Sequence, residues 1–294
     1  MSDPLRWQHH PTLERPVVVV AFEGWNDAGD AASLALSYLA RASSAERFAS
    51  IDPEEFYDFT ETRPQVRLAG GGDRLIDWPE VELLSARLPP AGAVPARDLL
   101  LVRGVEPQLK WRTFCQLLAD VAVGYRAEMG LILGALLADV PHTRPVRVTG
   151  SADDEGLAVR LGLAPSGYEG PTGIVGVLHH TFSRAGVPSA SFWASVPHYV
   201  HQVPSPKAAL ALVERSASVI GATVDPLDLR VAAVDYERQV SERVADDEDA
   251  AAYVAQLEEA DDAETDRQVP TLTADPDRLA EEVERFLRHH PGGG

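Results

Sequence analysis

The chain reads as an α/β protein, a mostly parallel sheet sandwiched by helices, with an acidic helical extension at its C-terminal end. Three observations predict this. Val17 to Phe22, VVVVAF, is a fully apolar and largely β-branched run, the pattern of a strand buried on both faces. It stops at Glu23 in the polar turn Gly24, Trp25, Asn26, Asp27, after which Ala31, Leu34, Ala35, Tyr38 and Leu39 recur at the spacing of a core-facing helix. The same order of buried strand, turn and helix returns from Asp98 to Ala122, and strands and helices keep alternating to about residue 220.

The first helix takes Asp27 as its N-cap, with Asp30 three residues on, so side-chain oxygens can meet free N–H groups at the positive helix end. Glu46 to Ile51, Glu55 to Phe59, Val66 to Leu68, Leu75 to Trp78 and Val81 to Ala86 read as strands, an antiparallel excursion from the parallel order. The glycines at 70, 71 and 72 make a hairpin or flexible turn between two of them, since no helix follows to form a phosphate cradle. Asp98 to Arg103 is the next buried strand, ending in Gly104, Val105, Glu106 and Pro107 before a helix with Trp111, Phe114, Cys115, Leu118 and Ala122 on its apolar face.

Met129 to Leu133 is a further strand, leading into a loop from Gly134 to Pro145. Val146 to Thr149 follows, and Ser151 with Asp154 makes a capping pattern for a short helix through Leu161. Thr172 reads as the N-cap of a helix carrying Ile174, Val177, Leu178, Thr181 and Phe182, and Ser189 to Val196 returns as a strand. Ser205 as N-cap with Pro206 at the first helical position opens a helix bearing Leu210, Val213, Ala217 and Ile220. From Asp225 no strand-like run remains, and acidic helical segments are expected at about 225–245, 248–264 and 275–289. The last carries an apolar stripe of Leu279, Val283, Phe286 and Leu287. The expected division is a core domain over 1–222 and an acidic helical region over 223–294, whose helices cover the core or contact a partner; the tail HHPGGG reads as disordered.

Composition narrows the function classes. The formal charge is −19, of which residues 225–294 contribute −13. Such a surface repels phosphate backbones, so no nucleic-acid partner is expected. No run approaches the 18 apolar residues of a membrane span and the N-terminus lacks a signal-peptide pattern, so the expected location is cytoplasmic, with no membrane partner. The single cysteine, Cys115, forbids an intramolecular disulfide and reads as a buried, inert thiol. Only two lysines occur, Lys110 and Lys207, neither in a P-loop, which excludes that class of nucleotide hydrolase.

The candidate ligand residues gather at predicted strand ends, where open α/β sheets bind ligands. Glu23, Asn26, Asp27 and Asp30 place four oxygen-bearing side chains beside Trp25; they suit a hard cation, acid and base roles or ribose hydroxyls, and helix capping accounts equally for Asp27 and Asp30. Glu106 repeats the glycine and acid pattern; on an adjacent strand its carboxylate would share one crevice with Glu23, and a solvated loop acid accounts for it equally. His142, next but one to Arg144, is a neutral-pH titrating group, an anion binder or a surface histidine held by backbone. Thr149 and Ser151, and the Gly170 to Gly173 turn with Thr172, are candidate phosphate seats. His198 and His201 form an H-x-x-H pair that lacks a third ligand at convincing spacing, so no metal and no cofactor is expected. There is no G-x-S-x-G elbow, and no catalytic residue can be assigned.

GWNDAGDA from Gly24 to Ala31, RGVEPQLKW from Arg103, GALLADVPHTRPV from Gly134, GPTGIVGVLH from Gly170 and VPHYVHQVPSPKAALAL from Val196 together resemble the proteasome assembly chaperone 2 family over roughly residues 15–220. The resemblance implies a phosphorylase/hydrolase-like α/β fold and a non-catalytic role as assembly chaperone or protein-interaction protein, with proteasome subunits as partner. It also implies a homo-oligomer, for which a trimer is one form. The fold's kinship with nucleoside phosphorylases implies the alternative, a protein or enzyme that binds a nucleoside or phosphate-type molecule. In eukaryotic members the chaperone ends in a hydrophobic residue, a tyrosine and any residue; this chain closes on Pro291 and three glycines, so docking through such a tail is not expected.

Overall fold

The computed structural model describes residues 4–70, 73–90, 95–163 and 169–268. The sheet strands are β1 (Leu5–Trp7), β2 (Val17–Glu23), β3 (Glu46–Ile51), β6 (Val81–Leu88), β7 (Arg97–Val105), β8 (Met129–Ala138), β9 (Val148–Ala152) and β10 (Ser189–Pro197), while β4 (Gln65–Leu68) and β5 (Arg74–Asp77) form a separate hairpin. Eight strands order as β1-β3-β6-β7-β2-β8-β10-β9. The four central strands, β7, β2, β8 and β10, run parallel, and the antiparallel pairings lie outside them. The helices are α1 (Ala31–Ala42), α2 (Trp111–Gly124), α3 (Glu155–Leu161), α4 (Ile174–Arg184), α5 (Pro206–Ile220), α6 (Leu227–Ala245) and α7 (Glu248–Gln268).

The valine run is in the middle of this sheet, flanked by β7 and β8. Side chains alternate across a strand, and both sides are apolar here because both are covered. Val17, Val19 and Ala21 pack with residues of α1 and α5, whereas Val18, Val20 and Phe22 pack with residues of α2 and α4. Burying each valine contributes about 1.5–3 kcal/mol relative to leaving it in water.

Five details differ from the sequence reading. The N-cap of α1 is Asp30 and not Asp27, because an added helical turn over Ala28–Asp30 comes between Asp27 and the helix. The segment expected as a strand at Glu55 to Phe59 is a tight helical turn over Pro53–Glu55, because Asp52 accepts from the Glu54 N–H and Pro53 presets the backbone; Phe56 and Tyr57 then turn into the core. The strand expected at Met129 to Leu133 runs on to Ala138, pairing with β10 as far as Pro197, so the expected loop from Gly134 shrinks. Gly134 sits inside that strand since a Cβ there would stand 2.7 Å from the Trp193 ring. Ser151 lies within β9 opposite Ser191, and Asp154 caps α3 instead, accepting from Leu157 N at 2.7 Å. Thr172 precedes the true N-cap of α4, Gly173. The glycine-linked strands β4 and β5 pair antiparallel, as a hairpin.

The acidic helices α6 and α7 pack onto the core. Leu229 of α6 joins the cluster formed with α1 and α5, and Tyr38 donates to the Asp225 carbonyl at 2.6 Å. On the loop after β8, Arg144 pairs with Asp262 and Glu258, and Arg147 with Asp261 and Glu264, which fastens α7. The expected helix over 275–289 and the HHPGGG tail lie outside the described residues. No described helix is long and apolar enough to cross a membrane.

Candidate functional site

The carboxyl ends of β2, β7, β8 and β10 meet at one rim, and five of the predicted residues, Glu23, Trp25, Asn26, Asp27 and Asp30, end β2 or follow it. Gly24 adopts φ 134, which turns the chain sharply out of the strand. The turn is then stitched to its neighbours through backbone. Glu106 N donates to the Glu23 carbonyl at 2.8 Å, Ala135 N to the Asn26 carbonyl at 2.8 Å, and Ser205 N to the Gly29 carbonyl at 2.7 Å. One short segment thereby ties β7, β8 and the start of α5 together.

Asp27 is buried and its carboxylate reaches past a short helical turn to α1, accepting from Ala32 N at 2.6 Å and Ser33 N at 3.3 Å. Burial is the main influence on this carboxyl and pushes its pKa up to about 6, against the lowering effect of those hydrogen bonds. Glu106 is buried beneath the same turn, accepting from Trp25 N at 3.2 Å and from the Ile174 N–H that opens α4. Burial raises its pKa, and the two N–H donors and the adjacent Asn26 side chain oppose the rise. Asn26 is 2% exposed and packs against Gly173, where a Cβ would stand 2.5 Å from its Oδ1. Its amide makes no well-aligned hydrogen bond among the described residues, but it lies close enough to the Glu106 carboxylate to favour that group's charged form. Glu23 and Asp30 are exposed, and Trp25 projects into solvent at 80% exposure. Glu23 and Glu106 thus occupy adjacent strand ends, one facing water and one turned inward.

His142 is also buried. Its ring pairs through Nδ1 with Tyr199 Oη at 2.8 Å and through Nε2 with Ser241 Oγ at 2.9 Å, joining the loop after β8 to the turn after β10 and to α6. Burial and the nearby Lys207 ammonium hold its pKa below the usual histidine range. Lys207 donates both to the His142 carbonyl and to Glu237. His198 pairs with Asp139 at 3.1 Å and stacks edge-on against Tyr253, with His201 Nδ1 on its carbonyl oxygen. Thr149 and Ser151 lie mid-strand on β9, opposite Trp193 and Ser191, not at a helix N-terminus. Thr172 is exposed, its hydroxyl lying over Gly176, where a Cβ would stand 2.0 Å away. The rim therefore brings together Asn26, Asp27 and Glu106 on one side and His142 and His198 on another, and leaves Thr149 and Ser151 apart.

The sequence reading missed the face of the β4–β5 hairpin. Val66, Leu68 and Ile76 alternate on one side, exposed by 62%, 73% and 55%, and Trp78 continues the line, touching Phe59 edge-on. Arg67 and Asp77 pair on the opposite side. The hairpin strands pair only with each other in the described structure, and an isolated two-stranded hairpin is marginal in water. The strict alternation of Val66 and Leu68 was the available signal. Arg144 and Arg147 were also unassigned, because their acidic partners lie more than a hundred residues on.

Comparison with known proteins agrees with this architecture. No curated protein sequence matches at a significant level. The chain is 48% identical to a PAC2 family protein from Streptomyces avermitilis, covering 81% of this chain and 99% of that one with a TM-score of 0.75. It is 45% identical to a proteasome-assembly chaperone homologue from Mycobacterium tuberculosis, over 81% and 99% of the two chains, with a TM-score of 0.73. A second Mycobacterium tuberculosis protein, of unknown function, is 29% identical over 91% and 92% with a TM-score of 0.80. The model of the PAC2 family matches residues 21–244, and the chain belongs to that family.

Proposed function

We propose that this protein works by binding other proteins, as an assembly-chaperone-like factor that engages proteasome subunits, in the cytoplasm and as a homo-oligomer. The observation that carries the reading is the open apolar face of the β4–β5 hairpin, Val66, Leu68, Ile76 and Trp78. Aligned exposed apolar side chains of this kind mark a protein contact. The 45% identity with a protein described as a proteasome-assembly chaperone homologue supports that class of partner. At the rim, by contrast, Asp27, Glu106 and His142 each spend their hydrogen-bonding atoms on groups of the same chain.

The test incubates the purified protein with proteasome α and β subunits and follows ring assembly on native gels. A shifted complex or faster ring formation, lost in a V66D/I76D variant, supports the reading. No complex and no change in assembly at micromolar concentration ends it. Light scattering on the same samples reads the oligomeric state.

One observation favours a second reading, a binder of a nucleoside or phosphate-type molecule. The Asn26 amide is buried without a well-aligned hydrogen bond, with the Glu106 carboxyl as its polar neighbour, and buried polar groups are ordinarily fully satisfied. A thermal-shift panel of nucleosides, inorganic phosphate and divalent cations tests it. A shift abolished by N26A supports the reading; a flat panel removes it.

A further inference from the structure

The second half of α7 is helical against its own sequence. Glu258, Glu259, Asp261, Asp262 and Glu264 follow one another with no basic side chain among them, in the later turns of a helix spanning Glu248–Gln268. Carboxylates there are repelled by the negative end of the helix dipole. Glu258 and Asp262 also stand at i and i+4, and Asp261 and Glu264 at i and i+3, so like charges face each other on successive turns. Ala260 and Ala263 are the only apolar residues between Glu258 and Glu264, and neither is buried.

The loop after β8 supplies what holds this half in place. Arg144 bridges the first like-charged pair. Its guanidinium forks onto Asp262, Nε to Oδ1 and Nη2 to Oδ2 at 2.8 Å each, and reaches Glu258 at 3.3 Å. Arg147 bridges the second pair, 2.5 Å from Asp261 and 2.5 Å from Glu264. Thr143 adds a hydrogen bond to Glu258. The first half of α7 is anchored by other means, the buried Val254 and Leu257 and the ring of Tyr253 edge-on to His198 and Tyr199. Asp261 and both arginines line a small cavity together with His142 and Lys207, beside the carboxyl end of β10, so the charge-held half of α7 forms part of its wall.

We propose that residues 258–268 are a conditional helix, a strap that closes over this cavity only while Arg144 and Arg147 bridge its carboxylates, and that lets go when those charges are screened while residues 248–257 stay docked. The two arginine side chains are 32% and 33% exposed, so dissolved ions reach the pairs. Release takes Asp261 out of the cavity wall and uncovers both guanidinium groups. The match to the PAC2 family model ends at residue 244, before α7 begins, so the strap lies outside the matched region. It depends neither on the hairpin surface nor on the identity of any partner.

Amide hydrogen exchange in the full-length protein reads the two halves of α7 separately. Raising sodium chloride from about 0.05 M to 1 M accelerates exchange over residues 258–268 at least ten-fold, while residues 250–257 and α2 change less than two-fold. R144Q/R147Q exchanges this fast at the lower salt concentration already. In E258Q/D261Q/D262Q/E264Q the repulsion and the bridges vanish together, and exchange over 258–268 agrees within two-fold at the two salt concentrations. Salt-independent exchange over 258–268 in wild type overturns the proposal. So does low-salt exchange in R144Q/R147Q as slow as in wild type, a salt response retained in the glutamine variant, or an equal acceleration in α2.

Discussion

Replacing Asp27 by asparagine isolates the electrostatics of the rim. The carboxylate accepts from Ala32 N and Ser33 N, yet its burial raises the pKa from the ordinary 3.8 to about 6. A raised folded pKa on an acid means that the native state holds the proton more tightly than the unfolded chain. The stability this contributes is full below pH 3.8 and is lost as pH rises through 6. A tenfold difference in proton affinity is about 1.36 kcal/mol, so the span from 3.8 to about 6 corresponds to about 3 kcal/mol. The D27N side chain keeps an acceptor oxygen and removes the charge, at a cost of about 1 kcal/mol for the new amide donors. Urea unfolding of wild type and D27N should therefore give D27N the more stable protein at pH 7.5 by about 2 kcal/mol. Below pH 4 the order should reverse by about 1 kcal/mol. His142, whose lowered pKa removes stability as pH falls below 6.5, acts in the opposite sense but cancels in the difference. A wild-type minus D27N difference that is flat between pH 4 and 7.5 would refute the assignment of a buried, charge-penalised cap.

The E106A variant leaves Trp25 N and the Ile174 N–H without their acceptor, so thermal unfolding should show a loss of about 1–3 kcal/mol. In G134A the new methyl meets the Trp193 ring at 2.7 Å, and the cost of overpacking is about 1–3 kcal/mol by urea denaturation. Subtracting the curve of an H142Q variant from wild type should leave stability that falls with acid below pH 6.5; a flat difference would contradict a neutral buried histidine. The R144E/R147E variant sets like charges against Glu258, Asp261, Asp262 and Glu264, and limited proteolysis should cut α7 sooner than in wild type. Because these pairs are partly exposed, 1 M salt should shrink that difference.

Much of the fold was legible because burial leaves a simple mark on sequence. VVVVAF and DLLLVR carry the mark of two-sided strands, and the described helices with a clear stripe, such as the one with Phe114, Cys115, Leu118 and Ala122, lie where their spacing put them. Local chemistry misled where propensity and context disagreed. Phe56 and Tyr57 favour strands, but Pro53 and Asp52 impose a turn first. Ser151 looked like a cap because nothing in the sequence reveals that Ser191 lies beside it across a strand pair. At the rim, the residue types were visible and their partners were not. Asp27 meets donors five and six residues away, whereas His142 meets Ser241 across 99 residues and Arg147 meets Glu264 across 117. Only the folded topology joins such pairs.

The central claim is that the apolar hairpin face, and not the polar rim, is the working surface. The direct measurement is surface plasmon resonance of wild type, V66D/I76D and E23A/E106A over immobilised proteasome α subunits. The account predicts saturable binding at micromolar or tighter affinity by wild type and E23A/E106A, and at least ten-fold weaker binding by V66D/I76D. Equal binding by V66D/I76D and wild type, or loss confined to E23A/E106A, would contradict it.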